Sequence, residues 1–593
     1  MLYLRKYRLY FAYFISIVSL FALLFSSCGV NSREGVYEVE LYSTNDVHAQ
    51  FFDSLYVGGN KATSLSKISF YINNRRETIG DSSVALLDLG DMLQGDVAAC
   101  FFNLPDTVKI RSNNSMHFLS RVMNYMKYDA SVAGNHDIEA GHTIYDRIFK
   151  ELKMPYLAAN AIDIKSGKPY FNEYAILHKN HLKIAVIGMI THNIDMWLDK
   201  SLYSGIKFVP PVNITDSLVK VIREREEPDI VVIALHSGIG KANNKESGDI
   251  ASYIATHAKG VDLVLASHDH IPSCNKFFNG KDSILLIDGG CKAEYLSKVK
   301  IKVCFKGGKR VSKIIRGSLV PATNIPSDDS YNKFFHKDFL DVKTFATKRI
   351  SYLEHDIAMD DAYFGFSEYI NFINHVMMKS TGADLSFAAP INASDYVRRG
   401  NVDFITVMTL YPYDNLLYTI EMTGEQIHNY LEYSYSKWIK TISSDNMELL
   451  NIIYNKELHK YVFKYPAFNF DAAKGIKYEV DVTKPFGNKV RIISMENGEP
   501  FRLNKSYKVA ISSYRANGGG DLLKQGAGIT KNIDKIVIAR YGGIREFIYS
   551  YFEQGNKFPY KVEPNWKFIP ESIVSPIIER EKEMMNRGAS HTY

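Results

Sequence analysis

The chain has 593 residues, of which 46% are hydrophobic and 23% charged, as is typical of folded globular proteins. This composition excludes a disordered chain, a collagen-like chain and a small scaffold held by disulfides. The 71 Lys and Arg residues exceed the 65 Asp and Glu residues only slightly, giving a net charge of +6. Such a surplus is too small to indicate binding to nucleic acid or to an anionic membrane surface. A chain of this length predicts two large domains.

The N-terminal segment has the pattern of a secretory signal. A basic stretch at residues 5–8 precedes an almost wholly apolar run from Leu9 to Phe25, and Ser26-Ser27-Cys28 follows directly. Small residues before a cysteine resemble the lipobox of bacterial lipoproteins, in which that cysteine carries the lipid. We therefore expect a lipoprotein signal over 1–28, lipidation at Cys28 and an extracytoplasmic protein anchored in the cell envelope, in the periplasm or at the cell surface. A single transmembrane anchor is the alternative, because the apolar run is at the short limit for spanning.

The region from residue 36 to residue 325 has the pattern of a layered α/β domain. Short runs rich in Val, Ile and Leu, bounded by polar turns, are typical of strands buried on both faces. Between them, segments such as 117–128 and 143–152 carry apolar residues at helical spacing. The predicted strands are 36–42, 84–89, 184–190, 230–235, 262–266 and 284–288.

A connector and a second domain follow. Asp328-Asp329 provides an N-cap for one long predicted helix over 331–353, inside a helical connector at 326–360. A second α/β domain is predicted over 361–570, because this region has its own apolar runs and turn signals. The charged residues 571–593 are predicted to form a peripheral tail.

Potential metal ligands follow most of the predicted strands of the first domain. Taken alone, each of these motifs is more often a turn or a helix cap than a metal ligand. Five such motifs in order, each at the end of a strand, favour a single metal site. Ligands bind beyond the carboxyl ends of the strands in open α/β sheets, so these side chains are expected to meet at one edge. Oxygen and imidazole ligands suit divalent transition metals, and seven ligands suit two ions that share a carboxylate and activate a bridging water. The seven are Asp46, His48, Asp91, Asn135, His236, His268 and His270.

The order Asp-x-His, Gly-Asp, Gly-Asn-His-Asp, His and His-x-His resembles that of the calcineurin-like metallophosphoesterases. The second half is similar to the bacterial 5′-nucleotidase and 2′,3′-cyclic-nucleotide 2′-phosphodiesterase family, and the resemblance covers nearly all of the chain after the signal. It implies a four-layer αββα sandwich, a connecting helix and a second α/β domain that binds the substrate. The segments that carry it there are Tyr411-Pro412-Tyr413-Asp414-Asn415, Met422-Thr423-Gly424-Glu425-Gln426-Ile427, Asn469-Phe470-Asp471 and Tyr514-Arg515-Ala516-Asn517-Gly518-Gly519-Gly520.

The resemblance also distributes the ligands between two divalent ions, whose identity among Mn, Zn, Co and Fe stays open. It assigns Asp91 to both metals as the bridge. The first metal would be completed by Asp46, His48 and His270, and the second by Asn135, His236 and His268.

A histidine beside the metals has its own implied role. By the resemblance, His136 contacts the phosphate and stabilises charge on the departing oxygen, whereas a purely structural histidine is the alternative. Many 5′-nucleotidases have Asn-His-Glu-Phe-Asp, in which the last Asp orients the histidine. This chain has Asn135-His136-Asp137-Ile138-Glu139, so Glu139 is the candidate for that orienting role.

The second domain carries the implied substrate residues. Tyr413 and Tyr514 match two aromatic positions that stack on the nucleobase in the family, with Asn415 beside them; two core tyrosines are the alternative. Typical 5′-nucleotidases carry Asn-Gly-Gly-x-Arg before them, with arginines that meet the terminal phosphate. This chain instead has Pro390-Ile391-Asn392-Ala393-Ser394-Asp395, with Arg398 and Arg399 later. Tyr411-x-Tyr413-x-Asn415 and Tyr514-Arg515-Ala516 resemble the cyclic-phosphodiesterase and 3′-nucleotidase branch, which this departure therefore favours.

We therefore expect an envelope enzyme that hydrolyses nucleotide phosphate esters for scavenging. A 5′-nucleotidase or UDP-sugar hydrolase is the nearest alternative, and a non-catalytic nucleotide-binding lipoprotein is the second. The expected partners are the nucleotide substrate and the membrane, through the lipid anchor, and no nucleic-acid polymer.

The remaining cysteines fit an oxidising compartment. Related periplasmic nucleotidases carry a cysteine pair after the last metal ligand, and this resemblance implies a disulfide between Cys274 and Cys291. Cys100 and Cys304 have the alternative of free buried thiols.

Overall fold

The described residues comprise most of both predicted domains. The computed structural model describes residues 33–104, 116–391, 396–456, 459–530 and 535–586. The predicted signal and Cys28 lie outside these residues. Within the described ranges, none of the helices combines the length and the apolarity needed to cross a membrane.

Two six-stranded sheets pack face to face in the first domain. Leu41 of one sheet and Val186 of the other are fully buried in the layer between the sheets. Helices cover the outer faces, where Ile68 packs on the first sheet and Ile254 on the second. The predicted αββα sandwich is thus confirmed. In spatial order the first sheet contains Lys309–Pro321, Tyr295–Lys306, Gly35–Thr44, Val84–Asp88, Ala130–Val132 and Tyr156–Leu157, and the second contains Ser273–Phe278, Ser283–Asp288, Leu263–Ser267, Ile230–His236, Leu182–Ile190 and Tyr174–Lys179.

The predicted strands and helices of this domain form within a few residues of their predicted bounds. The predicted strands are almost wholly buried, as expected for sheets covered on both sides, except at the exposed start of the first strand, Gly35–Glu38. A two-stranded ribbon of Ala161–Asp163 and Ile206–Phe208 lies outside the two sheets. The α-helices are Leu65–Ile79, Val97–Asn103, Phe118–Met126, Asn135–Glu139, His142–Glu151, Ile194–Trp197, Thr215–Glu226 and Ala251–His257.

The central strands of each sheet run parallel, which brings their carboxyl ends to one edge. Gly35–Thr44 pairs in parallel with Val84–Asp88, and Ile230–His236 pairs in parallel with Leu263–Ser267. The amide of Asn45 donates a hydrogen bond of 2.5 Å to the carbonyl of Ala266, joining the two sheets at this edge.

The connector contains two short helices, so the prediction of one helix over 331–353 was wrong. Asp328 caps the first helix, Asp329–Phe334, by accepting from the backbone N–H groups of Ser330 and Tyr331. The second helix, His336–Ala346, ends well before residue 353. Ser351–Leu353 is instead a strand, because it pairs with Gly400–Val402 of the second domain.

The second domain is built on a five-stranded mixed sheet and a three-stranded sheet. Much of the chain's high tyrosine content lies here in the core, where Tyr435 and Trp438 stack with ring centroids 5.4 Å apart. In spatial order the strands are Ala472–Lys474, Leu385–Ala388, Ser506–Ser512, Leu416–Thr423 and Val537–Gly543, then Val490–Met495, Ile476–Asp481 and Trp566–Ile569, with small ribbons of Ile357–Ala358 with Tyr396–Val397 and Ile452–Asn455 with Lys460–Phe463. The α-helices are Glu368–Thr381, Phe404–Leu410, Gly424–Trp438, Ser513–Ala516 and Ile544–Glu553.

The segment predicted as a peripheral tail is largely a packed helix, Glu571–Asn586. Val574 and Ile577 are buried in the core of the second domain. The buried Glu581 carboxylate accepts from the backbone N–H groups of Leu449 and Leu450, at 2.8 and 2.9 Å. The prediction of a peripheral tail was wrong because it was based on charged composition. The sequence does not distinguish a buried carboxylate that accepts from backbone N–H groups, such as that of Glu581, from a carboxylate exposed to solvent.

The implied disulfide is absent, since Cys274 and Cys291 are both free thiols. Cys274 lies on a strand opposite Ile287, and Cys291 follows four residues later, beyond the end of that partner strand at Asp288. The Cys274 sulfur lies against Gly317 of the facing strand Lys309–Pro321. The pairing register thus separates the two cysteines.

Candidate metal centre and adjoining pocket

Two groups of potential metal ligands meet at the carboxyl edge of the two sheets. One contains Asp46, His48 and His270, and the other contains Asp91, His236 and His268; within each group the ligand atoms lie within 4.8 Å of one another. His270 Nε2 is 3.7 Å from Asp46 Oδ1, and His236 Nε2 is 3.3 Å from Asp91 Oδ2. Six of the seven predicted ligands therefore lie together at this edge, in two groups of three.

The seventh predicted ligand, Asn135, joins the second group. Its Oδ1 atom is 3.0 Å from His236 Nε2. The Nδ1 atom of His236 lies 2.7 Å from the carbonyl of Leu89, and that of His48 lies 3.2 Å from the carbonyl of Gln94. With Nδ1–H donated to a carbonyl, each imidazole presents Nε2 as a free ligand atom, which is the usual orientation of metal-binding histidines.

The donor set fits divalent cations. Asp46 Oδ1 is buried and has no hydrogen-bond partner, which is costly for a carboxylate oxygen unless a cation satisfies it. His48 Nε2 and His270 Nε2 face each other at 2.9 Å, a separation suited to two ligands of one ion.

Backbone strain is concentrated at the same residues. Five of the ligands have a positive φ: Asp46 (42°), His48 (48°), Asp91 (57°), His268 (97°) and His270 (61°). A non-glycine residue in this left-handed region of backbone conformation costs about 1–2 kcal/mol of stability. The strain at these five residues indicates that their backbone is held in an unfavourable conformation in order to place their side chains as ligands. Gly134 makes room for the centre, because a Cβ there would lie 2.1 Å from Asp91 Oδ1.

The electrostatics differ between the two central carboxylates. Burial raises the pKa of Asp46 to about 7, although His236 opposes the shift. Burial also disfavours the charged form of Asp91, but the positive charges of His236 and His136 outweigh it and hold the pKa of Asp91 well below its usual value. Asp91, proposed as the bridging ligand, therefore has the stronger tendency to stay ionised.

His136 and Glu139 form a hydrogen-bonded pair beside the metal ligands. His136 Nδ1 lies 2.5 Å from Glu139 Oε2, so Glu139 occupies the position predicted for the orienting residue. The backbone N–H of His136 donates to Asp91 Oδ1 at 2.8 Å, which fixes the imidazole relative to the centre. Burial disfavours the charged imidazole, but Asp91 and Glu139 outweigh it and raise the pKa of His136 to about 10.

Asp137 is an organising residue that the sequence analysis missed. Its buried carboxylate accepts from four backbone N–H groups, those of Gly134, Asp91, Met92 and Leu93, at 2.9–3.2 Å. It thereby joins the loop that carries Asp91 to the loop that carries Asn135. Its position between His136 and Glu139 was the only signal available in the sequence.

We expect Asp137→Ala to lower the free energy of unfolding by about 3 kcal/mol or more, because it leaves four buried N–H groups without their acceptor. Urea denaturation at one fixed metal concentration measures the change. Asp163→Ala is a matched control, since Asp163 also accepts from two backbone N–H groups but in an exposed turn. Equal and small effects of both substitutions would contradict the organising role.

A cavity of about 320 Å³ connects the metal centre to the second domain. Asn135, His136 and His268 line it from the first domain. Trp197 also lines it and stacks on His268, with ring centroids 5.3 Å apart and an interplanar angle of 28°. All three predicted substrate residues line it from the second domain: Tyr413, Asn415 and Tyr514.

The aromatic rings of the pocket are available to a planar ligand. Tyr413 is 39% exposed, which does not fit the alternative of a core tyrosine. The Tyr514 ring lies flat against Gly519, where a Cβ would approach Tyr514 Cζ to 2.4 Å. Phe468, which the sequence analysis did not single out, lies edge-on to Tyr514 at 6.2 Å between ring centroids.

Two arginines of the second domain, Arg515 and Arg398, have structural partners. Arg515 lines the pocket, but its guanidinium is paired with the Asp471 carboxylate at 2.8 Å and donates to the carbonyl of Phe468. The Arg398 guanidinium lies over the Tyr396 ring, and neither Arg398 nor Arg399 is among the described residues that line the pocket. The departure at 390–395 falls partly outside the described residues, which omit 392–395.

This fold and this set of ligands define a metal-dependent phosphoesterase. Residues 42–272 match the family model of calcineurin-like phosphoesterases, and residues 345–525 match that of the 5′-nucleotidase C-terminal domain. The chain therefore combines a calcineurin-like phosphoesterase domain with a 5′-nucleotidase C-terminal domain, and divalent metal ions are the cofactors that the first of these implies.

Individual relatives have low sequence identity to this chain, but their alignments cover most of it. The chain is 24% identical over 590 residues to the trifunctional nucleotide phosphoesterase protein YfkN of Bacillus subtilis, a match covering 90% of this chain but only 39% of that longer protein. It is 23% identical over 627 residues to a 2′,3′-cyclic-nucleotide 2′-phosphodiesterase/3′-nucleotidase of Haemophilus influenzae, covering 94% of this chain and 91% of that protein.

A similar fold has been solved by crystallography. A Staphylococcus aureus protein provisionally named a 5′-nucleotidase, crystallised with alpha-ketoglutarate, superposes with a TM-score of 0.71 at 18% identity, covering 90% of this chain and 99% of that one. At this identity the likeness shows the fold alone.

Proposed function

We propose that the chain hydrolyses nucleotide phosphate esters as a 2′,3′-cyclic-nucleotide 2′-phosphodiesterase and 3′-nucleotidase. The observation that carries the proposal is that one cavity is lined both by candidate metal ligands, Asn135 and His268, and by the available rings of Tyr413 and Tyr514. A nucleotide has the two chemical groups that such a cavity accepts, a phosphate at one end and a planar base at the other.

Two divalent ions, of Mn, Zn, Co or Fe, fit the two ligand groups. Bound there, they would supply Lewis-acid activation of water and of a phosphoryl oxygen. Asp46, His48 and His270 would hold the first ion and Asn135, His236 and His268 the second, with Asp91 as the shared carboxylate. His136, which is hydrogen-bonded to Glu139, would donate a hydrogen bond to the phosphoryl group and stabilise charge on the departing oxygen.

The second domain supplies recognition. Tyr413 and Tyr514 would stack on either face of a base, which gives affinity for any base because every base has a π-face. Asn415 offers a polar contact from the same wall, and Trp197 helps to exclude water beside His268.

The choice of branch depends on the phosphate contacts. Arg515 is the one arginine among the described residues that line the pocket. Because its guanidinium is paired with Asp471, it is not free to bind a terminal phosphate. A 5′-nucleotidase with its bidentate arginines would need a free guanidinium there. The name of the Haemophilus influenzae relative supports the same branch.

The test is a substrate panel on the purified protein. After chelation and add-back of Mn²⁺, Co²⁺, Zn²⁺ or Fe²⁺, turnover of 2′,3′-cyclic AMP, 3′-AMP, 5′-AMP and UDP-glucose is compared with that of p-nitrophenyl phosphate. We expect 2′,3′-cyclic AMP and 3′-AMP to have the highest kcat/KM. Preference for 5′-AMP or UDP-glucose would support the 5′-nucleotidase alternative, and no turnover of any ester would support a binding protein.

We further propose that the protein is anchored in the cell envelope by a lipid on Cys28, on the basis of the N-terminal sequence pattern. Mass spectrometry of the membrane-extracted protein should then find residues 1–27 absent and a lipid mass on Cys28. Cys28→Ser should abolish the added mass. Recovery of an intact N-terminus from membranes would support the spanning anchor instead.

A further inference from the structure

Arg545 is a buried arginine that belongs neither to the metal ligands nor to the described lining of the 320 Å³ cavity. It lies in the first turn of the helix Ile544–Glu553, and only 5% of the residue is exposed. A buried guanidinium is retained only when its donors are satisfied. Its partners therefore indicate what it does.

Three of those partners belong to one short segment, residues 411–415, which we call the base loop because it carries Tyr413 and Asn415. Arg545 donates to the carbonyl of Tyr411 at 3.0 Å and to that of Pro412 at 2.5 Å. It also donates to Asp414 Oδ1 at 2.5 Å. A planar fork with several donors can hold two carbonyls and a carboxylate at once, which a lysine cannot.

The far end of the base loop is attached to the same helix start. The backbone N–H of Ile544 donates to the carbonyl of Asn415 at 2.9 Å, and Leu416 pairs with Gly543. Within the loop, the Asn415 amide donates to the Tyr411 hydroxyl at 3.2 Å. Residues on both sides of Tyr413 are thus fixed by residues 543–545, while the Tyr413 ring itself stays exposed to the cavity.

Arg545 also connects the base loop to the domain that holds the metal ligands. Its Nη1 atom lies 2.9 Å from Cys100 Sγ, on the helix Val97–Asn103 of the first domain. A second cavity of about 220 Å³ is lined by Arg545 and Asp414 together with His136 and Glu139. The Arg545 charge therefore also balances Asp414 on the side that faces the catalytic histidine.

We propose that Arg545 is a positioning residue, which sets the orientation of the base loop relative to the metal centre and so aligns the base with the scissile phosphate. The inference depends on the proposed nucleotide hydrolysis and adds a residue outside both halves of the proposed site. It acts through Tyr413 and Asn415 and does not touch the substrate.

The test compares Arg545→Lys and Arg545→Met in the metal-loaded full chain. We expect either substitution to raise the KM of the preferred nucleotide about ten- to a hundredfold, because a shift of the loop misplaces the base. The kcat/KM of p-nitrophenyl phosphate, which has no base to align, should change less than about threefold. Arg545→Lys keeps a positive charge opposite Asp414 but loses the planar guanidinium. The KM for the nucleotide should therefore stay raised in this variant.

Arg223→Met is the matched control. Arg223 also donates to two carbonyls, of Pro228 and Gly260, and pairs with the carboxylate of Asp262, but these contacts lie away from the cavity. It should leave both substrates unaffected. Thermal melting identifies a variant that does not fold, and if Arg545→Met is one, Arg545→Lys decides.

Three results would overturn the inference. Equal losses of kcat/KM on the nucleotide and on p-nitrophenyl phosphate in Arg545→Lys would show that Arg545 has only a structural role. Wild-type KM values in that variant would show that its positive charge is sufficient and that the guanidinium fork is not needed. A wild-type protein with no preference for nucleotides over p-nitrophenyl phosphate would overturn the proposed function itself, and this inference with it.

Discussion

Asp91→Asn is expected to reduce turnover of every substrate at least about a hundredfold, the scale of losing one major electrostatic contribution. Asp91 Oδ2 is 3.3 Å from His236 Nε2, and Asp91 Oδ1 accepts the backbone N–H of His136. An amide in place of the carboxylate removes the negative charge that would be shared between two cations. Chelation should abolish activity in the same way, with recovery on adding Mn²⁺, Co²⁺ or Zn²⁺.

Steady-state kinetics and metal analysis of the purified variants measure these effects together. Asp262→Asn is a matched control, because Asp262 is equally buried but pairs with Arg223 and Lys313 away from the centre. It should keep both its metal content and its turnover. A protein verified to be metal-free that retains full activity would rule out metal-dependent hydrolysis.

Tyr413→Ala or Tyr514→Ala should lower kcat/KM for nucleotides about ten- to a hundredfold, since stacking on a base contributes about 1–3 kcal/mol. The kcat/KM of p-nitrophenyl phosphate should hardly change. Binding energy from the remote base helps to place the phosphate, so its loss affects nucleotides selectively.

Two control substitutions sharpen that experiment. Phenylalanine at either position keeps the ring and should keep most of the nucleotide activity. Tyr454→Ala removes an exposed tyrosine of the same domain, away from the cavity, and should change neither substrate. Equal losses on nucleotide and aryl phosphate would show that Tyr413 and Tyr514 are structural.

The convergence of most candidate metal ligands could be predicted from sequence because they follow strands with a strong local signal, although Asn135 follows Ala130–Val132, a short strand that was not predicted. The runs that end near Asp91, His236 and His268 are rich in Val, Ile and Leu, and parallel pairing then brings their ends to the same edge as Asp46. Local composition and one topological rule were sufficient for this part of the site.

Other features depend on pairings that are distant in sequence. Ser351–Leu353 reads as helical on its own and becomes a strand only because Gly400–Val402 lies beside it. Arg545 contacts a loop more than 130 residues earlier, and Cys100 lies 445 residues away from it. The disulfide between Cys274 and Cys291 was wrongly predicted for the same reason. The distance between the two cysteines is set by the register of the paired strands, which their spacing in the sequence does not reveal.

The direction of the strand Gly35–Thr44 has a consequence for where hydrolysis takes place. The described chain begins at Arg33, at one end of this strand, and Asp46 lies just past the other end. Ten residues at about 3.3 Å each separate the two by about 30 Å. At physiological salt this separation is several Debye lengths, so the reaction takes place out of reach of charges at the N-terminal end of the strand.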